Sequence, residues 1–251
     1  DALEQNTTGE RNTAVGYAAL GANTTGNYNT AIGKDALLTN TTGDYNTAVG
    51  LEALEQNTTG AGNTGLGVAA LSKNTTGNDN TGLGIQALQL NTTGNYNTAL
   101  GAEALNANTT ASYNTALGWE SLNSNTTGEN NSAVGYRSMW SNTTGEKNTA
   151  LGNDALYSNT TGSQNTTIGN NAGYSNVTGA NNVFIGYKAG YSETGSNKLY
   201  ISNSNTSTPL IYGDFSTGAL TFGNGGDGTG AIQIATSGTR NITIGSSSAT
   251  T

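Results

Sequence analysis

The sequence predicts an all-β fold: a repetitive parallel β-solenoid or β-roll, elongated into a fibre, with a small C-terminal β module. Three observations lead there. A unit reading N-T-A-φ-G-x-x-A-L-x-x-N-T-T-G-x-x, with φ aliphatic, recurs every 17 residues from Asn12 to Asn182, eleven starts without an insertion. Each unit holds one short β-prone stretch between turn residues. Helix-forming pieces such as D-A-L are cut off within a few residues by Gly and N-T-T-G, and an isolated turn of helix is too costly to nucleate.

Within a unit, T-A-φ-G reads as a strand of four or five residues, with Thr and the aliphatic residue on one side and Ala and Gly on the other. The aliphatic column (Val15, Ile32, Val49 and on to Ile185) and the Leu column (Leu20, Leu37, Leu54 and on to Leu156, interrupted by Met139) are the expected core. Gly occupies the fifth position of every unit, as Gly16, Gly33, Gly50, Gly67, Gly84, Gly101 and on to Gly186. A positive φ or a missing Cβ is therefore used in each coil. The remainder, A-L-x-x-N-T-T-G-x-x, must reverse direction, as a bend or a bend with a second short strand, its Asn, Gly and Thr supplying left-handed backbone and local hydrogen bonds.

Stacked ~4.8 Å apart, eleven such coils make a rod on the order of 50 Å long. Two aliphatic side chains per coil bury too little surface to offset the ordering of 17 backbones. Two further devices are expected: ladders of identical Asn (Asn23, Asn40, Asn57) and Thr side chains from coil to coil, and association of several chains.

The shaft is assigned to residues 1–196. Asp1, Ala2 and Leu3 align with the seventh to ninth positions of a unit, which reads as a piece of a longer array. The unit decays toward Asn182: Val183 and Phe184 replace Thr and Ala, Gly173 and Gly190 replace Leu, and Glu193 replaces Asn, the mark of a cap or junction. Residues 197–251 lose the period and show short alternating runs at 198–202, 209–213, 219–223, 231–235 and 241–245, a second β module serving as tip or joint. Pro209 suits the start of an edge strand.

Composition narrows function. With no Cys, no His, 10% charged residues and a net charge of −8, the chain is poor in catalytic and metal-binding groups and has no basic stripe for nucleic acid. No apolar run is long enough to span a bilayer as a helix. No cofactor is expected.

The motifs N-T-A-V-G and N-T-A-I-G joined by N-T-T-G resemble the head repeats of trimeric autotransporter adhesins, and the 17-residue spacing is closer to repeats of phage-type tail-fibre and bacterial surface proteins. The stretch from Gly195 to Thr221 is similar to the region that precedes a self-cleaving trimerisation chaperone in tail fibres. The resemblance implies a parallel homotrimer with left-handed coils, located outside the cell on a virion, an injection machine or a cell surface.

Several residues invite a sharper reading. The ten N-T-T triplets at the twelfth position of the unit, Asn6 through Asn159, and Asn176-Val177-Thr178 match the N-glycosylation acceptor pattern, though turn and ladder use explains them better. Trp119, Tyr136 and Trp140 could stack on a sugar, or pack between coils. The carboxylates Asp35, Glu52, Glu103, Glu120 and Asp154 lie on different coils without a His or Lys partner and read as a solvated face. The segment 223–230 carries one carboxylate, Asp227, too few for calcium.

The expected function is a non-enzymatic fibre or adhesin shaft, partnered with itself and with a cell-surface glycan or protein receptor. Two alternatives stand beside it: a monomeric solenoid with a Thr-rich, ice-binding-like face, and a subunit of an extracellular helical filament.

Overall fold

The computed structural model describes residues 1–223, and among them it contains fourteen strands and no helix, all in one sheet whose order follows the chain. Eleven three-residue strands, β1 (Thr13–Val15) to β11 (Val183–Ile185), come one per repeat and pair in parallel. The register is set by the repeat itself: Thr13 lies opposite Thr30, Ala14 opposite Ala31, Val15 opposite Ile32. The chain is a β-solenoid. Its strands are shorter than the four or five residues expected, because Gly at the fifth position leaves the β region, with φ of +138° at Gly33 and +141° at Gly50. A Cβ on Gly50 would also meet the backbone of Gly67 in the next coil, its carbonyl carbon at 2.7 Å.

The core corrects one expectation. Leu20, Leu37 and Leu54 are fully buried, as expected, but their partner is the Ala column (Ala31, Ala48, Ala99, Ala116) and not the aliphatic column. Val15 is 58% exposed and Ile32 39%, and Val49 is half-buried. Side chains alternate across a strand, so burying Ala sends both its neighbours, Thr and the aliphatic residue, outward. The coil encloses one Leu and small residues, and has no room for a second large side chain.

The bend is also built differently. Left-handed backbone falls at the seventh, ninth and seventeenth positions, for instance Asp35 (φ 58°), Leu37 (φ 50°) and Tyr45 (φ 58°), and not at the Asn and Thr of N-T-T-G. Each such residue costs roughly 1–2 kcal/mol without glycine. The return is hydrogen bonding in both directions along the rod: Asp35 N–H donates back to Tyr17 O at 2.9 Å, and Leu37 N–H forward to Ala53 O at 3.0 Å. The segment A-L-x-x-N-T-T-G thus forms no second strand, yet its backbone polar groups are paired between coils.

Inside the coil, two Asn columns run parallel to the rod. Asn57 Nδ2 donates to Asn40 Oδ1 (2.8 Å) and Gly60 O (2.9 Å), while its Oδ1 accepts from Asn74 Nδ2 (2.8 Å). The first Asn of each unit forms the other column: Asn63 N donates to Asn46 Oδ1 (3.0 Å) and Asn63 Nδ2 to Gly77 O (2.7 Å). A Thr ladder joins them, Thr58 Oγ1 donating to Thr75 O at 2.9 Å. The expected ladders are present. Fully buried amides must be paired, and here each Asn finds its partner in the adjacent copy of itself.

At the C-terminal end the core is exchanged rather than lost. Phe184 takes the Ala position and points into space left by Gly173 and Gly190, where a Cβ would meet Phe184 ring carbons at 2.7 and 2.5 Å. The Leu-plus-Ala pair becomes Gly-plus-Phe. The sheet then continues across residue 197: β12 (Lys198–Ile201) pairs in parallel with β11 at a spacing of 16, Val183 opposite Leu199. Two antiparallel strands follow, β13 (Ile211–Asp214) and β14 (Ala219–Phe222). Pro209 precedes β13 by two residues and removes no ladder donor, but β13 is an interior strand, flanked on both sides, and not the edge strand expected. Lys198 Nζ pairs with Asp214 Oδ2 at 2.6 Å across β12 and β13, which holds the Asp214 carboxyl well below the usual carboxylate range. The runs at 231–235 and 241–245, and Asp227, lie outside the described residues.

Candidate functional site

The outward side of β1 to β11 is the most extended feature of the surface. Its second-position column is Thr or Ser from Thr13 to Thr166, and its fourth-position column is aliphatic throughout, with Leu66, Leu100, Leu117, Leu151 and Ile168 exposed. Two residues on, beyond the bend at Gly, stand Tyr17, Leu51, Val68, Ile85, Trp119, Tyr136 and Tyr187, also exposed. Over eleven coils these three columns carry one charge, Lys34. With that single charge, the face is mostly apolar in two of its three columns.

The Thr columns differ in chemistry. The first Thr of N-T-T-G spends its hydroxyl on the next coil, as Thr41 Oγ1 does on Thr58 O at 3.0 Å, while the second, as at Thr42, is exposed. Among the described residues, the strand hydroxyls of Thr30, Thr47, Thr64, Thr81, Thr98 and Thr115 have no such partner, and stand free beside the aliphatic column.

The aromatic residues singled out by sequence fall into two separate stacks. Trp119 lies on Tyr136 with centroids 5.0 Å apart. Trp140 begins a longer stack, Trp140–Tyr157–Tyr174–Tyr191, with centroids 5.4, 5.0 and 5.0 Å apart and rings within 6° of parallel. Arg137 joins the two stacks, its guanidinium 4.7 Å from the Tyr136 centroid and 5.0 Å from that of Tyr157, and pairs with Asp154 at 3.0 Å. Burial within the stack pushes the Tyr174 phenol up. Rings separated by one coil rise cover each other's faces, so an interior ring has only its edge for solvent. Sugar stacking needs a free face, which confines it to the ends of a stack.

The acceptor asparagines of the N-T-T triplets, Asn23 through Asn159, are fully buried in the ladder, and Asn176 is buried as well. No glycan can be attached to a side chain so enclosed. Asn6, in the first coil, is exposed. The position-seven carboxylates sit at most one per coil, and two correct the expectation of an unpaired, solvated face: Asp35 pairs with Lys34 Nζ at 2.9 Å, and it and Asp154 are partly buried. Among the described residues no three His, Cys, Asp or Glu come close enough to hold a metal ion. Nor is any helix there long and apolar enough to cross a membrane.

The sequence reasoning missed the Ala column as core and the aliphatic column as surface. The signal was present: an Ala or Gly in nearly every third position is what a narrow interior requires, whereas Val, Ile and Leu interchange freely in the fourth. No family model, no curated protein and no solved structure matches this chain.

Proposed function

We propose that this chain is a non-enzymatic structural shaft, held outside the cell, whose copies pack side by side as a homotrimer through the Thr/aliphatic face. The observation that carries this reading is the uncharged aliphatic column running the length of a rod whose interior is already complete. A strip of four residues' width over eleven coils covers roughly 650 Å², close to the ~800 Å² per partner of a stable interface. An apolar strip of that extent on a monomer is otherwise a liability. Rigidity comes from the ladders, and length from repetition; attachment to a receptor is then the task of a tip displayed in several copies.

One further observation favours a second reading. Free hydroxyls beside methyl-bearing side chains, repeated at the coil spacing on a sheet, also order water, as an ice-binding face does. The two readings need the same face, so they exclude each other.

Sedimentation of the full chain separates them. A mass three times 25.3 kDa, falling to one when Leu66 and Leu100 are both replaced by Asp without loss of the β spectrum, supports the shaft. A monomer with thermal hysteresis supports the ice-binding face, and a monomer without it overturns both.

A further inference from the structure

We infer that the C-terminal end of the long aromatic stack is a binding site for a neutral pyranose, seated on the free face of Tyr191. The inference does not depend on how copies of the chain associate.

Three of the stack's four rings are followed by another ring, one coil on. Tyr191 is not: Tyr174 covers one of its faces at 5.0 Å, and on the other side the repeat has ended. A cavity of about 230 Å³ opens there, lined by Tyr191 with Ser192, Glu193, Asn205, Thr206 and Ser207 among others, all from Tyr191's own coil or the chain that follows it.

The chemistry of the wall selects the ligand. Glu193 is the only carboxylate lining it, and both its oxygens are taken: Oε1 accepts from Thr194 N (3.0 Å) and Gly195 N (2.7 Å), and Oε2 from Tyr200 OH (2.7 Å). It therefore offers a fixed wall and not a vacant cation site. The groups with spare capacity are neutral. Ser192 Oγ and Asn205 Oδ1 meet only at 3.4 Å, Thr206 Oγ1 accepts from Thr208 N at 3.0 Å and lies 3.1 Å from Thr208 Oγ1, which leaves it one further site, and Ser207 adds another hydroxyl. Lys188 Nζ lies over the rings of both Tyr187 (5.2 Å from the centroid) and Tyr191 (5.6 Å), and is not among the residues lining the cavity. An aromatic face beneath a ring of hydroxyls and an amide matches a pyranose, which presents C–H groups on its flat side and hydroxyls at its rim. The volume is below the ~300–1,000 Å³ of sites for larger ligands, and suits one sugar residue.

The test is saturation-transfer NMR on the full chain with methyl glycosides of glucose, galactose, mannose and N-acetylglucosamine at millimolar concentration. At least one should receive saturation at its ring protons, with binding weakened about tenfold or more in Tyr191→Ala, kept in Tyr191→Phe, and unchanged in Trp119→Ala. The melting temperature of each variant, measured alongside, shows that the coils remain formed. Absence of transfer from all four glycosides, or equal transfer to Tyr191→Ala and the unaltered chain, overturns the assignment.

Discussion

A single buried asparagine shows how this molecule uses its residues. Asn57 makes two donations and accepts one, and all three partners are buried with it. Replacing it by Ala leaves Asn40 Oδ1 and one proton of Asn74 without partners, while Gly60 O keeps the donation from Asn46 Nδ2 at 2.8 Å; each such orphan costs about 1–3 kcal/mol. Asn57→Ala should therefore destabilise the coil by about 2 kcal/mol or more, whereas Thr47→Ala, which removes an unpartnered outward hydroxyl, should change stability by no more than about 0.5 kcal/mol. Chemical denaturation of the two variants checks this, and equal effects would mean that the ladder contributes little. The ladder also has a natural end. Glu193 stands where the next Asn would be and has no N–H to give, so Asn176 turns its amide to accept from Gly179 N at 2.7 Å. Asn159 Oδ1 and Asn176 Nδ2 are left unpaired in consequence.

At the scale of the element, one coil is a closed set of complementary volumes. Ala and Leu fill it from Ala31/Leu37 to Ala150/Leu156, with Gly65 and Gly82 in place of Ala and Met139 in place of Leu, and Phe184 fills it where Gly173 and Gly190 stand opposite. Phe184→Ala should open a cavity spanning two coils and cost about 3–5 kcal/mol. The companion change Ala48→Phe should be as damaging, because Leu54 is still in place; calorimetry of both variants is the measurement, and tolerance of Ala48→Phe would show that the interior is slack. Much of this was legible in the sequence. The unit length, the parallel stacking, the Leu column and the Asn and Thr ladders follow from repetition, since identical residues at a fixed period must lie side by side in a solenoid. What repetition leaves open is which way a three-residue strand faces. Thr-Ala-Val reads equally well with Ala in or out, and size decided it: the left-handed residues at positions seven and nine draw the coil so tight that only Ala fits beside Leu37. Those residues are Leu or Met at position nine and a mixture of Ala, Asp, Glu, Gln, Arg, Asn and Lys at position seven, mostly types that signal nothing about φ, so the tight bend was not legible. The aromatic stacks were half-legible. Trp119 and Trp140 were visible as a cluster, but their division into two columns needs the positions within the unit, sixth and tenth, to be read as separate faces. Ala111 shows the tolerance of the scheme. It stands where other units have Gly, against the Asn ladder, and its coil keeps one of the two backbone bonds that neighbours make there, Thr109 N to Thr126 O at 3.2 Å.

For the whole molecule the repeat is the unit of length, and the spacing of 17 is enforced by every column at once. Strand register, both Asn ladders, the Thr ladder and the aromatic stacks all join residues 17 apart. Removing residues 63–79 therefore joins Gly62 to Asn80 and restores each contact with the next copy, so the rod should lose ~4.8 Å of length and about one coil's worth of stability, as expected where stability is a sum over repeats and their interfaces. Removing residues 63–78 shifts every later column by one position relative to the earlier ones, which turns Ala out and Thr in across the new junction, and should unfold or split the array there. X-ray scattering and circular dichroism of the two deletions distinguish these outcomes. The chain itself contains one 16-residue step, between Val183 and Leu199, and its place is instructive: it follows Glu193, where the Asn ladder has already stopped, and it comes after the Leu column has given way to Phe184. The step of 16 falls where the N-T-T-G ladder and the Leu column have ended, while the first-Asn column bridges it, Lys198 N–H donating to Asn182 Oδ1 at 2.8 Å. Equal tolerance of both deletions within the ladder region would show that backbone pairing alone holds the rod, and that the ladders follow the register without setting it.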